Sequence, residues 1–464
     1  MTNPEIKKGK GLMLFCVFML ANTLLLSAQT VTKQYVDTIV HRLSDQLEAH
    51  YPFPEISARY KQKLLARLQE GAYHNLLEEQ LAKQLTTDLN AVHKDRHLNI
   101  IRDSLAYRAA ITPASASPDK QPTEEPAYEG NYGFDKVEID HFLSTAYISV
   151  PGPWHAVPEA FAAATAAMNL ATGSKHIIID IRRNGGGSGA MGRYLASYFY
   201  ATGNEQYYLY GFHKDKSQDE QEWTLPFVPG KTAPDAKLYI LTGRNTGSAA
   251  EGFAFAMQRL KRGVVIGDTT AGAGIAGSYV PLQCNLMLFL PVKMIVAPHT
   301  TKGWEGDGVI PDTATGKQDA WLRTRKIIIQ DLLKNEKDEQ RKEMLTWRLE
   351  DFLIGDTKPI DWARYNRLPF QYSEKISIRK KDGLLWYGIA EKNKTTNYYQ
   401  MQEIKPDVLV IKDLLPEWGA NAARLYINRD TRGNIVGITR KTYLRQEDNK
   451  IVTGSSLSRS AKQP

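Results

Sequence analysis

The sequence IIIDIRRNGGGSGAMG, residues 177–192, contains the pattern that decides the fold class. Three consecutive isoleucines predict a buried strand that ends at Asp180, and a glycine-rich turn then leads into the helical pattern AMGRYLASYFY. A glycine turn between a strand and a helix presents backbone N–H groups to negative charge. That charge belongs either to a bound phosphate or to an oxyanion that exists only during a reaction.

The same turn satisfies G-x-G-x-x-G through Gly187, Gly189 and Gly192, a pattern found in dinucleotide-binding folds. Such a fold also needs an acidic residue about 20 residues further on, at the end of a second apolar strand. This chain has Glu205 before an aromatic run instead. Dinucleotide binding is therefore disfavoured, and a turn whose glycines serve only a positive φ is the commoner interpretation.

Strand and helix patterns alternate around this turn up to about Asp312. The strand patterns AYISV, HIIID, LYILTG and GVVIG have helical segments between them. This alternation predicts an α/β core with buried parallel strands. Upstream, three amphipathic stripes predict a helical bundle over residues 29–105, and a segment rich in Pro, Ser and charge predicts a linker over residues 106–130.

The C-terminal part of the chain has a different pattern. A charged helical connector is predicted over residues 317–355. Residues 356–464 then alternate apolar and polar side chains around turn pairs such as Asp382-Gly383. They predict a small antiparallel β-rich accessory domain, in which we find no candidate catalytic cluster.

Composition restricts the class of protein. The chain has 464 residues, of which 42% are hydrophobic and 24% are charged, as expected for a globular protein of two or three domains. The formal net charge is +8, but the remainder of the chain beyond the N-terminal lysines has no dense block of Lys and Arg. We therefore expect no nucleic-acid partner.

The N-terminus predicts export. Residues 1–28 combine a basic flank, an apolar run and the small residues Ser27 and Ala28, as a secretory signal peptide does. Leu26 fits the cleavage pattern poorly, so an uncleaved membrane anchor remains an alternative to a cleaved signal peptide. Beyond this segment we expect no integral membrane domain. Cys16 lies in this segment, which leaves Cys284 alone and excludes a disulfide framework. We expect a periplasmic or secreted protein.

Ser248 stands where a predicted helix begins, in the stretch LYILTGRNTGSAAEGFAFAMQRL. With Glu251 it forms S-x-x-E, so it could simply cap the helix. Alternatively it is a nucleophile, because the helix dipole and the free N–H of Ala249 would stabilise the charge of a tetrahedral intermediate.

A serine nucleophile needs a base, and His97 in HKDRHLNI is a candidate beside Asp95. His93 and His97 also form H-x-x-x-H, but the zinc-protease glutamate is missing, no third ligand is identified, and Lys94 and Arg96 would repel a cation. In TKGWEGDGVIPD, Glu305 is either part of a charged surface turn or the partner that fixes the tautomer of a catalytic imidazole.

Taken in order, the stretches DIRRNGGG, TGSAAE, VVIGDTTAGAG and EGDGVIPD resemble peptidase family S41, which includes C-terminal processing proteases, tricorn protease and the interphotoreceptor retinoid-binding protein. NYGFDKVEI looks like the lead-in of the retinoid-binding branch, which lacks a PDZ domain. The resemblance implies an S41 catalytic core over residues 131–316, with a crotonase-like and ClpP-like α/β superhelix of strand-strand-helix units.

The family contains two catalytic designs. Processing proteases use a Ser-Lys pair, but Ala273 stands here in the place of that lysine. The tricorn-like design uses a histidine before the core and a glutamate before G-V-x-P-D, and His97 and Glu305 match those places. Tricorn protease has a serine before its histidine, whereas this chain has Arg96, so Glu305 acts directly, acts through water, or is replaced by Asp95 as the orienting group.

The resemblance therefore implies a serine peptidase in which Ser248 attacks, His97 transfers the proton and Glu305 supports the imidazolium. The oxyanion hole would be the N–H of Ala249 and that of Gly186 or Gly187. No metal, nucleotide or other cofactor is implied, and the substrate would be a peptide or unfolded protein. The alternative is a catalytically inactive binding module for apolar ligands or peptides. The sequence predicts no oligomeric state.

Overall fold

A computed structural model describes residues 30–112, 131–316, 318–354, 362–368, 370–371, 376–390, 396–411, 423–444, 450–453 and 457–458. The chain forms two compact units. The first comprises Met1–Val137, Ile148–Gly173 and Ile179–Ala314, and the second comprises Glu138–Tyr147, Ser174–Ile178 and Thr315–Pro464. The predicted signal peptide lies outside the described residues. Among those described, no helix has both the length and the apolar character needed to cross a membrane.

Three amphipathic helices begin the first unit, as the sequence predicts. They are α1 (Lys33–His50), α2 (Pro54–Gln69) and α3 (Glu78–Val92). Their apolar stripes, which include Ile39, Leu43 and Leu85, are fully buried in one hydrophobic core. The side chain of Thr32 caps α1, and Pro54 starts α2, where its missing N–H costs no helical bond.

A five-stranded sheet packs its apolar residues into the same core. Its strands are β1 (Asn99–Arg102), β5 (Tyr207–His213), β6 (Glu220–Trp223), β9 (Ile275–Pro281) and β10 (Leu286–Val296). The order is β1-β10-β5-β6, and β9 pairs with β10. All of these pairs are antiparallel. A short helix, α4 (Ser104–Ile111), follows β1 and is capped by the carboxylate of Asp103.

A six-stranded sheet carries the strand-turn-helix pattern of the sequence. Its strands are β2 (Lys136–Asp140), β3 (Thr145–Ser149), β4 (His176–Asp180), β7 (Lys237–Thr242), β8 (Gly263–Gly267) and β11 (Thr313–Ala314). The order is β11-β8-β7-β4-β3-β2. The pairs β7–β8 and β8–β11 are parallel. Connecting helices are α5 (Pro158–Ala171), α6 (Gly189–Ser197) and α7 (Ser248–Arg259).

The second unit combines helices with an antiparallel sheet. The helices are α8 (Ala320–Asn335), α9 (Glu339–Glu350) and α10 (Trp362–Tyr365). The strands are β12 (Phe370–Gln371), β13 (Ile376–Lys381), β14 (Leu384–Ile389), β15 (Asn397–Lys405), β16 (Val408–Ile411), β17 (Ala423–Arg429), β18 (Ile435–Leu444), β19 (Lys450–Thr453) and β20 (Leu457–Ser458). Strands β12 to β19 pair in chain order, and β20 pairs with β18.

The predicted fold class is confirmed: a helical N-terminal region precedes a mixed α/β core, and antiparallel strands follow it. One detail differs from the prediction. The linker expected over residues 106–130 begins inside α4, which ends at Ile111, and residues 113–130 lie outside the described part of the chain.

Candidate active site

Ser248 lies at the first position of α7, directly after β7 and a polar turn. Its backbone has a φ of +50°, a left-handed conformation that is uncommon for a residue other than glycine. Its N–H donates to Oε2 of Glu251 at 2.7 Å. Its hydroxyl takes no hydrogen-bond partner among the residues that the structure describes, and α7 is capped by no side chain. Only the Glu251 half of the predicted capping box therefore forms.

Glu251 has a larger structural role than the capping pattern indicates. Its side chain is completely buried. Besides the Ser248 N–H, the carboxylate accepts the Thr270 hydroxyl at 2.5 Å and the N–H groups of Gly272 and Ala273 at 2.6 and 2.9 Å. Four donors around one buried carboxylate meet the requirement for burying its charge. Glu251 thus fixes the backbone of Ser248 to residues 270–273.

The glycine turn between β4 and α6 packs directly against Ser248. A β-carbon added at Gly186 would lie 2.7 Å from Cβ of Ser248, and both Gly186 and Gly187 have φ values above +110°. Trp154 holds the turn on its other side, since its N–H donates to the Gly186 carbonyl at 2.8 Å and its carbonyl accepts the Ser188 N–H at 2.8 Å. The turn therefore requires glycine for both conformation and close approach.

The two candidate N–H donors in this turn differ in their partners. The Gly186 N–H already donates to Oδ1 of Asn184 at 2.9 Å, and Asn184 is fully buried. The N–H groups of Gly187 and Ala249 have no acceptor within the described part of the chain. Gly187 and Ala249 also line one cavity together with Ser248. The geometry thus favours Gly187 over Gly186 as a donor to a bound oxygen atom.

His97 lies in the turn between α3 and β1, with its ring stacked on Phe289 at a centroid distance of 5.4 Å. Its Nδ1 is buried without a hydrogen-bond partner. Burial lowers the pKa of the imidazole, and the negative charges of Asp95 and Glu251 oppose that shift. A lowered pKa favours the neutral imidazole, the form that accepts a proton.

Asp95 holds the backbone that carries His97. The carboxylate accepts the N–H groups of His97 and Leu98 at 2.8 and 3.2 Å, and its second oxygen accepts the hydroxyl of buried Tyr51 at 3.0 Å. Asp95 is 2% exposed, whereas the neighbouring Arg96 is exposed. Hydrogen bonds of Asp95 therefore fix the main chain of His97 and do not include its ring.

Glu305 lies in the turn after β10, where Oε2 accepts the N–H of Gly274 at 2.5 Å. Burial raises the pKa of this carboxyl to about 7, and the backbone N–H groups of Gly274 and Ile275 oppose the shift. The charges of Asp95 and Glu251 raise the pKa further. Asp95 and Glu251 each act electrostatically on both His97 and Glu305. These four acidic and basic side chains therefore lie in one neighbourhood.

The structure does not join the predicted residues into a hydrogen-bonded chain. Within the described ranges, no hydrogen bond connects the His97 ring with Ser248, Glu305 or the Asp95 carboxylate. Catalytic hydrogen bonds are often long or absent before substrate binds. Glu251, which the sequence marked only as a capping partner, is the group that holds the turn carrying Ser248.

The cavity beside Ser248 has a volume of about 130 Å³. Ala273 lines it, and its carbonyl accepts the indole N–H of buried Trp304 at 3.0 Å. The position at which processing proteases have lysine therefore faces the same space as Ser248. As for the zinc alternative, no group of three His, Cys, Asp or Glu residues in the described ranges is arranged to hold a metal ion.

Comparison with known proteins gives two family matches. Residues 144–315 match peptidase family S41, and residues 21–130 match the N-terminal domain of peptidase S41 in eukaryotic IRBP. A CtpA-like serine protease of Staphylococcus epidermidis is 28% identical over 173 residues, which are 33% of this chain and 34% of that protein. The chain thus spans about a third of this relative.

Two further proteins are similar over part of their length. The tail-specific protease of Haemophilus influenzae is 31% identical over 103 residues, which are 21% of this chain and 13% of that protein. Among solved structures, the photosystem II D1 C-terminal processing protease matches with 14% identity and a TM-score of 0.39, over 61% of this chain and 93% of that chain.

Proposed function

Because the chain belongs to peptidase family S41, we propose that it is a serine peptidase with Ser248 as its nucleophile. One observation carries this proposal: Ser248 lines a cavity with the N–H groups of Gly187 and Ala249, and neither its hydroxyl nor these N–H groups take a hydrogen-bond partner among the described residues. A nucleophile beside two such donors is the arrangement that acyl transfer requires.

In the proposed reaction, His97 accepts the hydroxyl proton of Ser248 while Oγ forms a bond to the peptide carbonyl carbon. The N–H groups of Gly187 and Ala249 stabilise the resulting oxyanion, and one such donor contributes about 3 kcal/mol to lowering the barrier. The C–N bond then breaks as His97 gives its proton to the leaving amine. Water, deprotonated by His97, hydrolyses the acyl ester and releases the carboxylic acid.

The two carboxylates near His97 have different proposed roles. Asp95 is a positioning residue, because its hydrogen bonds fix the backbone on which the imidazole is carried. Glu305 stabilises the imidazolium in the transition state. Burial, together with the charges of Asp95 and Glu251, raises the pKa of Glu305, and a nearby imidazolium would favour its ionised form. The step requires no cofactor.

The proposal extends to where the protein works and on what. Residues 1–28 have the pattern of a signal peptide, so we expect export to the periplasm or the outside of the cell. The substrate is a peptide or an unfolded protein, since the site must admit an extended backbone. No nucleic-acid partner is expected.

One observation favours a second function. The ring of His97 bonds to neither Ser248 nor Glu305, and Arg96 replaces the serine of the tricorn design. An inactive member of the family would use the same cavity to bind an apolar ligand or a peptide. Reactivity of Ser248 separates the two functions.

The experiment is covalent labelling of the purified mature chain with a fluorophosphonate, which reacts with an activated serine. We expect wild type to be labelled, Ser248→Ala to lose all labelling, and His97→Ala to lose nearly all of it. Ser278→Ala, a change at an exposed serine of β9, is the control and should label normally. Labelling of wild type that survives in Ser248→Ala, or no labelling at all, would reject the peptidase.

A further inference from the structure

We propose that Glu222, Lys293 and Tyr208 make the cavity beside Ser248 selective for a neutral substrate side chain that both donates and accepts hydrogen bonds, such as glutamine. This side chain belongs to the residue whose carbonyl carbon Ser248 attacks. The inference rests on the proposed function, because it assigns a substrate class to the same site.

The cavity is lined by small residues and by a few polar side chains. Gly187, Ser248 and Ala249 line it together, and the scissile carbonyl would bind beside them. The other polar side chains in the lining are those of Tyr208, Glu222, Lys293 and Trp304. The indole N–H of Trp304 already donates to the Ala273 carbonyl, which leaves the first three to contact a ligand. A volume of about 130 Å³ is enough for one medium-sized side chain but not for a large ring system.

Glu222 presents an unused acceptor to this cavity. Its side chain is only 22% exposed, and its carboxylate accepts no hydrogen bond from the described residues. The nearest cation is Nζ of Lys293, at 3.9 Å, which is too long for a hydrogen bond. Burial raises the pKa of Glu222, against the positive charges of Lys293 and Arg193. A buried carboxylate without donors gains from a ligand that supplies one.

Lys293 supplies hydrogen-bond donors to the same cavity. Its ammonium donates to Glu220 at 2.6 Å, which balances its charge from outside the cavity lining, and it retains two further N–H donors. The side chain is 18% exposed. Tyr208 adds a hydroxyl that can donate or accept a hydrogen bond. This hydroxyl has no hydrogen-bond partner in the described part of the chain.

The charges around the cavity argue for a neutral occupant. Two acidic side chains, Glu220 and Glu222, stand beside two basic ones, Lys293 and Arg193. A cationic or anionic substrate side chain would add an uncompensated charge to this balanced, half-buried set. A carboxamide instead offers an N–H to Glu222 and a carbonyl to Lys293 or Tyr208, while its methylene groups contact Leu209 and Ile295.

The test uses two peptidyl diphenyl phosphonates that are identical except for glutamine or methionine at the reacting position. In each reaction Oγ of Ser248 forms a bond to phosphorus and phenol leaves, so the test does not depend on the identity of the natural cleavage site. Methionine has a similar volume and lacks the amide. We expect the second-order labelling rate to be about tenfold higher for the glutamine probe, the factor that one buried hydrogen bond typically gives.

The variants separate selectivity from folding. Glu222→Met with Lys293→Met removes both polar groups and keeps the local charge balanced, and we expect the rate ratio to fall to about one. Gln221→Met is the matched control: it alters an exposed position of the same strand but not the cavity lining, and the ratio should stay within about twofold of wild type. Each variant is also reacted with the simple fluorophosphonate.

The outcomes distinguish this inference from the proposed function. If the simple fluorophosphonate fails to label wild type, the peptidase itself is rejected. If it labels, but glutamine and methionine probes react equally, the selectivity is rejected. A preference for glutamine that persists in the double variant also overturns it, as does loss of simple labelling in Lys293→Met alone, which would make Lys293 the base.

Discussion

At the scale of single residues, the fold imposes an uncommon backbone conformation on Ser248 and a buried environment on Glu305. A serine with a positive φ is strained, and Glu251 maintains it through a hydrogen bond to its N–H. Glu305 is a carboxyl whose burial makes ionisation costly in the folded state. Folding thus holds Ser248 in a backbone conformation, and Glu305 in a protonation state, that the unfolded chain does not favour.

Glu305 gives a prediction for stability against pH. Its pKa is about 7 in the folded protein and 4.5 ordinarily, so between those values the folded state retains a proton that the unfolded state has lost. The free energy of unfolding therefore falls as pH rises from 4.5 to 7, and the loss persists above 7. With allowance for partial exposure, the loss is about 1–2 kcal/mol.

We expect Glu305→Gln to remove this dependence while keeping an oxygen for the Gly274 N–H. Urea unfolding at pH 5 and pH 8 measures it: relative to wild type, the variant should gain stability on going to pH 8. Asp307→Asn, a change at an exposed carboxylate of the same turn, is the control. Parallel pH profiles of wild type and Glu305→Gln would contradict the assigned environment.

At the scale of elements, the candidate site combines the turn before β1, which carries His97, with three turns that follow strands of two sheets. The glycine turn follows β4, the Ser248 turn follows β7, and the Glu305 turn follows β10. Gly187 shows how tightly the first turn is packed. A β-carbon there would lie 2.2 Å from the carbonyl oxygen of Trp154, and the φ of +116° disfavours any other residue.

We expect Gly187→Ala to destabilise the protein by at least about 2 kcal/mol, through strain and overlap with backbone atoms that cannot retreat. It should also abolish labelling of Ser248. Gly185→Ala is the matched control, because its added methyl group would meet nothing within 4 Å and its φ is not positive. Thermal unfolding measures both, and equal melting temperatures would show that the turn is less constrained than described.

Sequence patterns predicted the elements better than the contacts between them. The stripes of α1 to α3 indicated both their helical type and their buried faces, since periodicity records which side chains avoid water. Helix α4 was partly assigned to a linker, because the Pro-rich segment that follows it dominated the composition. Residues 131–316 and the other predicted domain limits remain predictions.

The contacts depend on residues far apart in the chain. Glu251 receives donors from residues 270–273, and no short pattern marks that pairing. The choice between Gly186 and Gly187 depended on a side chain, that of Asn184, folding back on the turn. Glu222 and Lys293 lie on different strands about 70 residues apart, so neither was a candidate from sequence.

At the scale of the whole molecule, each compact unit has its own core and its own buried charge. In the second unit Arg424 is completely buried, with its guanidinium 3.9 Å from the ring of Trp347. It donates to Glu350 at 2.6 Å and to Asp351 at 2.5 Å. Burial raises the pKa of Asp351 to about 6, against the positive charge of Arg424.

We expect Arg424→Met to destabilise the second unit by about 3 kcal/mol, because it leaves two carboxylates without their buried cation. Limited proteolysis and thermal unfolding measure the effect, with Arg432→Ala, at an exposed turn, as the control. If Arg424→Met and Arg432→Ala unfold at the same temperature, the buried ion cluster contributes no stability.

The buried carboxylate of Glu251 has a consequence for how this sequence can change over generations. Its four hydrogen bonds link residue 248 to residues 270–273, which are separated by some twenty positions. An inherited substitution in either segment is therefore tolerated only if the other still meets the same carboxylate. We expect the two segments to drift together in descendants of this chain, while the exposed turns around them diverge freely.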